Sequence, residues 1–424
     1  MDRSEQTASV KKKTESVTAQ TFWFALAKTV AFALSVVFPF VLTRLISQHE
    51  FGLYKQAFQV AMTAMRLLTM GFALSAYYFF PRMEDREGPV AINSLIFNFA
   101  VGGSAWVALA VRPDLLNILF GLSGLQSYAG LIGAVIFFWI FSSFIEIAPA
   151  ALRDTRTSGM LIVGVQLTRT LLMLAATVLS ASLTALLWAA VAQGVLQTVA
   201  MLIYLQRRLP GYLGQFSGSI FREQAMYVLP LSAAYFIGVL QGDAPQFLVA
   251  AHFTPTMYAI YAVGTFSLPL IQVLHESVGM AMIPALSRLH HESRIADIVA
   301  MQTAAMRKMA FITLPVYFCL LVLAEPFIVL LYSVRYRESA GVFAVNLLLL
   351  PLMIVIYDPL TRVFAETRRF LVILRACLLV FLVVTVGLGA RSGNIYGAVV
   401  PVVVAAAAER IGIGIRIANT LGIG

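Results

Sequence analysis

Charge is what this sequence has least of. Asp, Glu, Lys and Arg make up 12% of its 424 residues, about half the ~25% of a typical soluble domain. A chain so poor in charge cannot cover a water-facing surface. Cysteine is nearly missing as well. Cys319 and Cys377 each sit inside an apolar run, which excludes a disulfide framework or a zinc site. There is no phosphate loop of the Gly-x4-Gly-Lys-Ser/Thr kind, so ATP-driven pumping has no seat in this chain. Long polar loops are missing too. The outer connections run roughly 4 to 15 residues, too short for a catalytic domain. No Ser, Cys or His constellation supports nucleophilic catalysis. His290, His291 and Glu292 read as a solvated loop and lack the further ligands a metal needs. The net charge is +10, yet the basic residues are scattered over short loops and form no nucleic-acid patch.

What the chain has instead is hydrophobic length. Sixty per cent of it is apolar and the mean hydropathy is +0.86. After a polar tail, Phe22 to Ser47 forms a run interrupted by Lys28 and Pro39. About 25 residues at ~1.5 Å each cross a ~30 Å hydrocarbon core. The run is too long for a signal-peptide core and lacks a small-residue cleavage site, so it is expected to be retained. Counting such runs gives about twelve spans. They cover 22–47, 53–80, 90–111, 126–150, 159–180, 183–205, 224–251, 256–286, 308–332, 340–364, 370–390 and 394–418. The expected fold is an all-α polytopic membrane protein.

Two halves emerge. Gly52-Leu53-Tyr54 in the first answers Ala259-Ile260-Tyr261 in the second, and each triplet precedes a long helix ending near a Pro and an Arg. This predicts two six-helix lobes related by a parallel pseudo-two-fold repeat. The divisions are a tail at 1–21, an N-lobe at 22–205, a cytoplasmic linker at 206–223, a C-lobe at 224–418 and a tail at 419–424. Basic residues gather on one side, at Lys11 to Lys13, Arg153, Arg156, Arg207 and Arg208 among others. The positive-inside rule makes that side cytoplasmic and puts both termini there.

Charges inside spans carry the functional expectation. A central arginine costs ~2.5–3.5 kcal/mol on insertion scales, so it needs a buried partner or a water-filled cavity. Arg66 and Arg169 occupy such places, with Thr63 and Thr69 sharing the face of the first, and Gln166 and Thr170 beside the second. Lys28 lies about six residues into its span, near enough to the interface to snorkel. Gln193 and Gln197 share a face of the sixth span. The second half shows acids instead, at Asp243, Glu276 and Asp358. Gly242 and Pro245 flank Asp243 and predict either a capped kink or a broken helix whose freed carbonyls help bind a cation. Asp358 and Arg362 stand four apart and can pair along one helix face.

Three stretches carry a resemblance. They are RLISQHEFGLYKQAFQVAMTAMRLLTMGFALSAYYFFPR, the second-half block from VLPLSAAYFIGVLQGDAPQF to MIPALSRL, and AEPFIVLLYSVRYRESAGVFAVNLLLLPLMIVIYDPLTRVFAETRRF. Together they resemble the Wzx-type polysaccharide and O-antigen flippases of the multidrug/oligosaccharidyl-lipid/polysaccharide exporter superfamily. The chain departs at Ala259, where the family has glycine. The resemblance implies a transporter, not an enzyme. It would move undecaprenyl-pyrophosphate-linked glycans from the inner to the outer leaflet of the bacterial cytoplasmic membrane, by alternating access of two lobes around a cationic cavity. Lys28, Arg66, Arg169, Gln193 and Gln197 are the expected substrate-binding residues. Asp243, Glu276 and Asp358 are the expected positions for a coupling H+ or Na+, with no other cofactor. Expected partners are the lipid-linked glycan, membrane lipids and polymerase or chain-length machinery, with no nucleic acid. The alternatives are a cation-coupled multidrug exporter of the same superfamily, a membrane glycosyltransferase or polymerase, and a passive scaffold.

Overall fold

In the computed structural model the described residues are 37–82, 87–364 and 366–422. Lys28 and most of the first expected span lie outside them. The described chain is helical throughout its ordered elements. The main helices are α1 (Gln48–Leu68), α2 (Glu87–Val111), α3 (Ala129–Ser142), α4 (Thr155–Ser180), α5 (Leu183–Arg208) and α6 (Gly218–His252). There follow α7 (Pro255–Gly264), α8 (Pro269–His291), α9 (Ile295–Val322), α10 (Ala324–Tyr332) and α11 (Ser339–Asn346). The last three are α12 (Asp358–Val363), α13 (Glu366–Arg391) and α14 (Tyr396–Leu421).

Local chemistry explains the ends. Asp154 accepts from the amide of Thr157 at the start of α4, and Ser182 from that of Ala185 at the start of α5. Thr254 does the same for Met257 at α7, with Pro255 in the first turn where its missing N–H costs nothing. Among the described residues, eight helical segments are long and apolar enough to cross a membrane. A ninth is counted if Gln48–Leu68 and Phe72–Arg82, bent by 44°, form one span.

The expected all-α polytopic fold is thus present, but several expected spans are not single rods. The second breaks at residues 69–71, where Met70 and Gly71 take positive φ. The fourth passes from α3 into a 3-10 turn at Ser143–Glu146. The eighth divides into α7 and α8, and the tenth into α11, a short turn of helix at Leu349–Leu352, and α12. Each break strips carbonyls of their i+4 donors, and hydrocarbon offers no water to replace them. Side chains from other elements do so instead. Asn98 Nδ2 donates to the carbonyl of Ile140 at 3.0 Å, and Gln197 Nε2 to that of Ser142 at 3.5 Å. Ser232 Oγ lies 2.7 Å from the carbonyl of Met70. In the second half His275 Nδ1 is 2.7 Å from the carbonyl of Met353, Gln302 Nε2 2.6 Å from that of Ile356, and Asn346 Nδ2 3.4 Å from that of Phe266.

The chain forms two compact units. The first holds the described residues up to Ile46, then Ala57–Leu116 and Gly124–Ser232. Its core includes Phe79, Phe80, Leu95, Phe144, Met201, Leu205 and Tyr212. The second holds Ser47–Gln56, Asn117–Ser123 and Ala233 onward. Its core includes Met282, Leu286, Ile298, Met309, Ile356, Leu360, Ile413 and Ile417. The division falls inside α6, and two short segments of the first half in sequence belong to the second unit. Gly52 shows how tightly one of them is held: a Cβ there would collide with the carbonyl oxygen of Pro255.

Candidate functional site

In the first unit the expected polar residues sit on α1, α4 and α5. Arg66 lies in the last turn of α1, just before the break at 69–71, with Nε 3.4 Å from the carbonyl of Met62. Its charge complements the exposed carbonyls at that helix end. Arg169, on α4, lays its guanidinium 4.2 Å from the centre of the Trp139 ring. Trp139 in turn meets the edge of Phe58 at 5.6 Å. The Arg169–Trp139 contact sets the cation over the aromatic face of the indole, where the ring quadrupole attracts it. Gln193 and Gln197 are buried and joined at 2.6 Å, and Gln197 continues to the freed carbonyl of Ser142. The carbonyl oxygen of Gln193 and the hydroxyl of Ser142 are buried with no partner among the described residues. A layer of buried polar groups thus crosses the apolar interior of this unit beside Arg169.

In the second unit the expected acids separate. Asp243 is buried, but α6 runs unbroken from Gly218 to His252 through Gly242 and Pro245. Of the two expected alternatives, a capped kink or a broken helix, the broken helix is not present. Pro245 stays within the helix and simply fails to supply a donor to the carbonyl of Gln241. Asp358 lies 3.8 Å from His275 Nε2. That acid faces a residue on α8 and not Arg362, its expected partner one turn on. Glu276 is exposed on α8, next to the buried His275.

A second charged constellation went unread in the sequence. Arg375 on α13 binds Glu409 on α14 through Nε and Oε1 at 3.0 Å. Gln241 on α6 donates to the other carboxylate oxygen at 2.9 Å. The acidic lean expected of this half is therefore incomplete, since it carries an intramembrane arginine of its own. The signal was available. Arg375 stands sixteen residues before the end of α13 at Arg391, and Glu409 thirteen after the start of α14 at Tyr396. Two antiparallel neighbours thus place opposite charges at similar depth. Among the described residues no group of three or more His, Cys, Asp or Glu side chains comes together as a metal site.

Long apolar helices, breaks capped from neighbouring helices and charge held inside apolar units define a polytopic, all-helical membrane protein. A family model described as polysaccharide biosynthesis protein matches residues 41–341. The chain belongs to that family. No curated protein matches the sequence. Solved structures share the fold. The lipid II flippase MurJ in an inward closed conformation superposes with a TM-score of 0.71 at 14% identity, over 93% of this chain and 87% of that one. An inward-facing multidrug resistance MATE family transporter of the MOP superfamily gives 0.63 at 16% identity, over 95% of each chain. A MOP superfamily transporter from Pyrococcus furiosus, described as having a binding pocket of reversed polarity that suggests a different function, gives 0.63 at 15% identity, again over 95% of each.

Proposed function

We propose that this protein translocates undecaprenyl-pyrophosphate-linked oligosaccharide units from the cytoplasmic to the outer leaflet by alternating access, for assembly of a cell-surface polysaccharide. The observation that carries the reading is the pair of intramembrane arginines, Arg66 and Arg169, in the first unit. A pyrophosphate cannot enter hydrocarbon without losing its hydration. Guanidinium groups replace that hydration with charge-assisted hydrogen bonds, and they match phosphate oxygens in a planar fork. Family membership supports a polysaccharide substrate, and the likeness to a lipid II flippase supports a lipid-borne one. The same reading places the protein in the bacterial cytoplasmic membrane with both termini inside, working beside the polymerase and chain-length machinery. A coupling H+ or Na+ acts at Asp243, Glu276 or Asp358. Lys28 joins the arginines in holding the pyrophosphate, and the Gln193–Gln197 pair supports the site.

The test is a deletion strain, which accumulates untranslocated lipid-linked intermediate. Wild-type protein clears it, whereas Arg66→Ala and Arg169→Ala do not, at equal membrane abundance. Full clearance by both variants removes the arginines from the mechanism. Efflux of cationic dyes with no glycan phenotype replaces the reading with drug export.

A further inference from the structure

We propose that the hollow walled by Arg375, Glu409 and Gln241 is a subsite for a sugar ring of the cargo, separate from the pyrophosphate-binding arginines. It rests on the reading of the cargo as a lipid-linked glycan.

The hollow measures about 310 Å³ and lies among α6, α13 and α14, all in the second unit. Its size falls at the lower end of small-molecule sites, ~300–1,000 Å³. Two glycines one turn apart, Gly238 and Gly242, leave the α6 wall open beside the Gln241 side chain. A Cβ on Gly242 would meet nothing within 4 Å, and one on Gly238 only Nη1 of Arg375, at 3.7 Å. The other walls are aliphatic, with Leu382 and Val402 among them.

The polar groups are arranged with capacity to spare. Glu409 has one oxygen on Arg375 and the other on Gln241. Arg375 spends only Nε on that contact. Among the described residues both of its terminal amino groups lack a hydrogen-bond partner, as does the side-chain carbonyl of Gln241. The backbone carbonyl of Gln241 lacks its helical donor because Pro245 has none. Donors and acceptors therefore stand together over an open wall.

Charge decides which ligand fits. Arg375 and Glu409 cancel, so the hollow offers no net attraction to an ion. A phosphate would bring its negative charge against Glu409, and an organic cation would meet Arg375. A hydrocarbon tail would leave the terminal amino groups of Arg375 facing hydrocarbon with nothing to accept their hydrogens. A neutral polyhydroxyl compound meets every demand, because each hydroxyl both donates and accepts. Its ring faces can lie on the glycine and aliphatic walls while its hydroxyls reach the Arg–Glu–Gln edge.

The test compares two probes on the full chain in lipid nanodiscs: undecaprenyl pyrophosphate alone, and the same lipid bearing the host's oligosaccharide. Gly242→Ala and Gly242→Leu fill the hollow in steps without touching its polar groups. The double variant Arg375→Gln with Glu409→Gln removes both charges together and leaves no lone buried ion. Gly242→Leu and the double variant are expected to weaken the glycosylated lipid about tenfold, the scale of one lost hydrogen bond to a charged group, with Gly242→Ala in between. Binding of bare undecaprenyl pyrophosphate stays within about twofold of wild type. Arg66→Ala gives the other pattern, weakening both probes. Unchanged binding of the glycosylated lipid by Gly242→Leu overturns the subsite, and so does an equal loss on both probes. Wild-type protein that binds neither probe overturns the flippase reading itself, a result distinct from the first two.

Discussion

Trp139 holds Arg169 over its ring, which makes the pair sensitive to shape as well as charge. Arg169→Lys keeps the cation but changes its shape and reach over the ring, and a desolvated cation–π contact is worth ~2 kcal/mol. Transport by Arg169→Lys is expected to fall on the order of tenfold, and Trp139→Leu should match it. Trp139→Phe, which keeps an aromatic face, should lose less; initial rates of glycan-lipid translocation in proteoliposomes rank the three. The arginines were legible because each breaks an apolar run and insertion penalties single it out. Arg375 breaks its run in the same way, but its meaning depends on Glu409 across a helical hairpin. Reading one span at a time misses such a pair. His275 carries no signal in the sequence beyond standing next to Glu276. Its work at the carbonyl of Met353 comes from a break 78 residues further along, which no local pattern announces.

At the scale of the helix, apolar length was easy to read and continuity was not. The run 340–364 is apolar enough to cross as one rod, yet it is divided into α11, a short turn and α12. What makes the interruption tolerable is Gln302 on α9, whose amide meets the carbonyl of Ile356 at 2.6 Å. Gln302→Leu is expected to cost ~1–2 kcal/mol, toward the upper end for polar contacts inside membrane proteins, and to lower the melting temperature in detergent. Asn98→Ala should cost less in the first unit, where the carbonyl of Ile140 loses one side-chain donor but keeps Ser143 Oγ at 2.7 Å. A variant of either site with unchanged melting would show that the freed carbonyl finds another donor. Asp243 is the converse case, where the sequence leaves a capped kink and a broken helix both open. Gly242 and Pro245 look like a break on paper, but α6 absorbs them, since proline inside a membrane helix forfeits one hydrogen bond and the remaining ladder carries on.

At the scale of the molecule, the two-part division was legible from the repeat of apolar runs, but its borders were not. The second unit incorporates residues 47–56 and 117–123. Phe51 packs edge-on to Tyr336 at 5.7 Å, Gln48 Nε2 donates to the carbonyl of Arg335 at 2.6 Å, and Phe120 stacks on Phe247 at 4.5 Å. These partners lie more than a hundred residues apart, and the turn SQHEFGLYK reads by itself only as a polar connection. Gly52→Val drives a side chain into the backbone of Pro255 and is expected to displace this segment. Translocation should fall at least about tenfold with a lower melting temperature, whereas Gly130→Ala, which meets nothing within 4 Å, should leave both near wild type.

Those borrowed segments also set what the polypeptide can survive. The backbone passes from one unit to the other at 46/47, 56/57, 116/117, 123/124 and 232/233. A single protease nick in the exposed stretch 213–216 therefore does not free two self-sufficient halves. The downstream fragment would be left short of two pieces of its own interior, both carried by the upstream one. Cleaved protein should stay together through purification, and genes for the two fragments should restore glycan export only when expressed in the same cell.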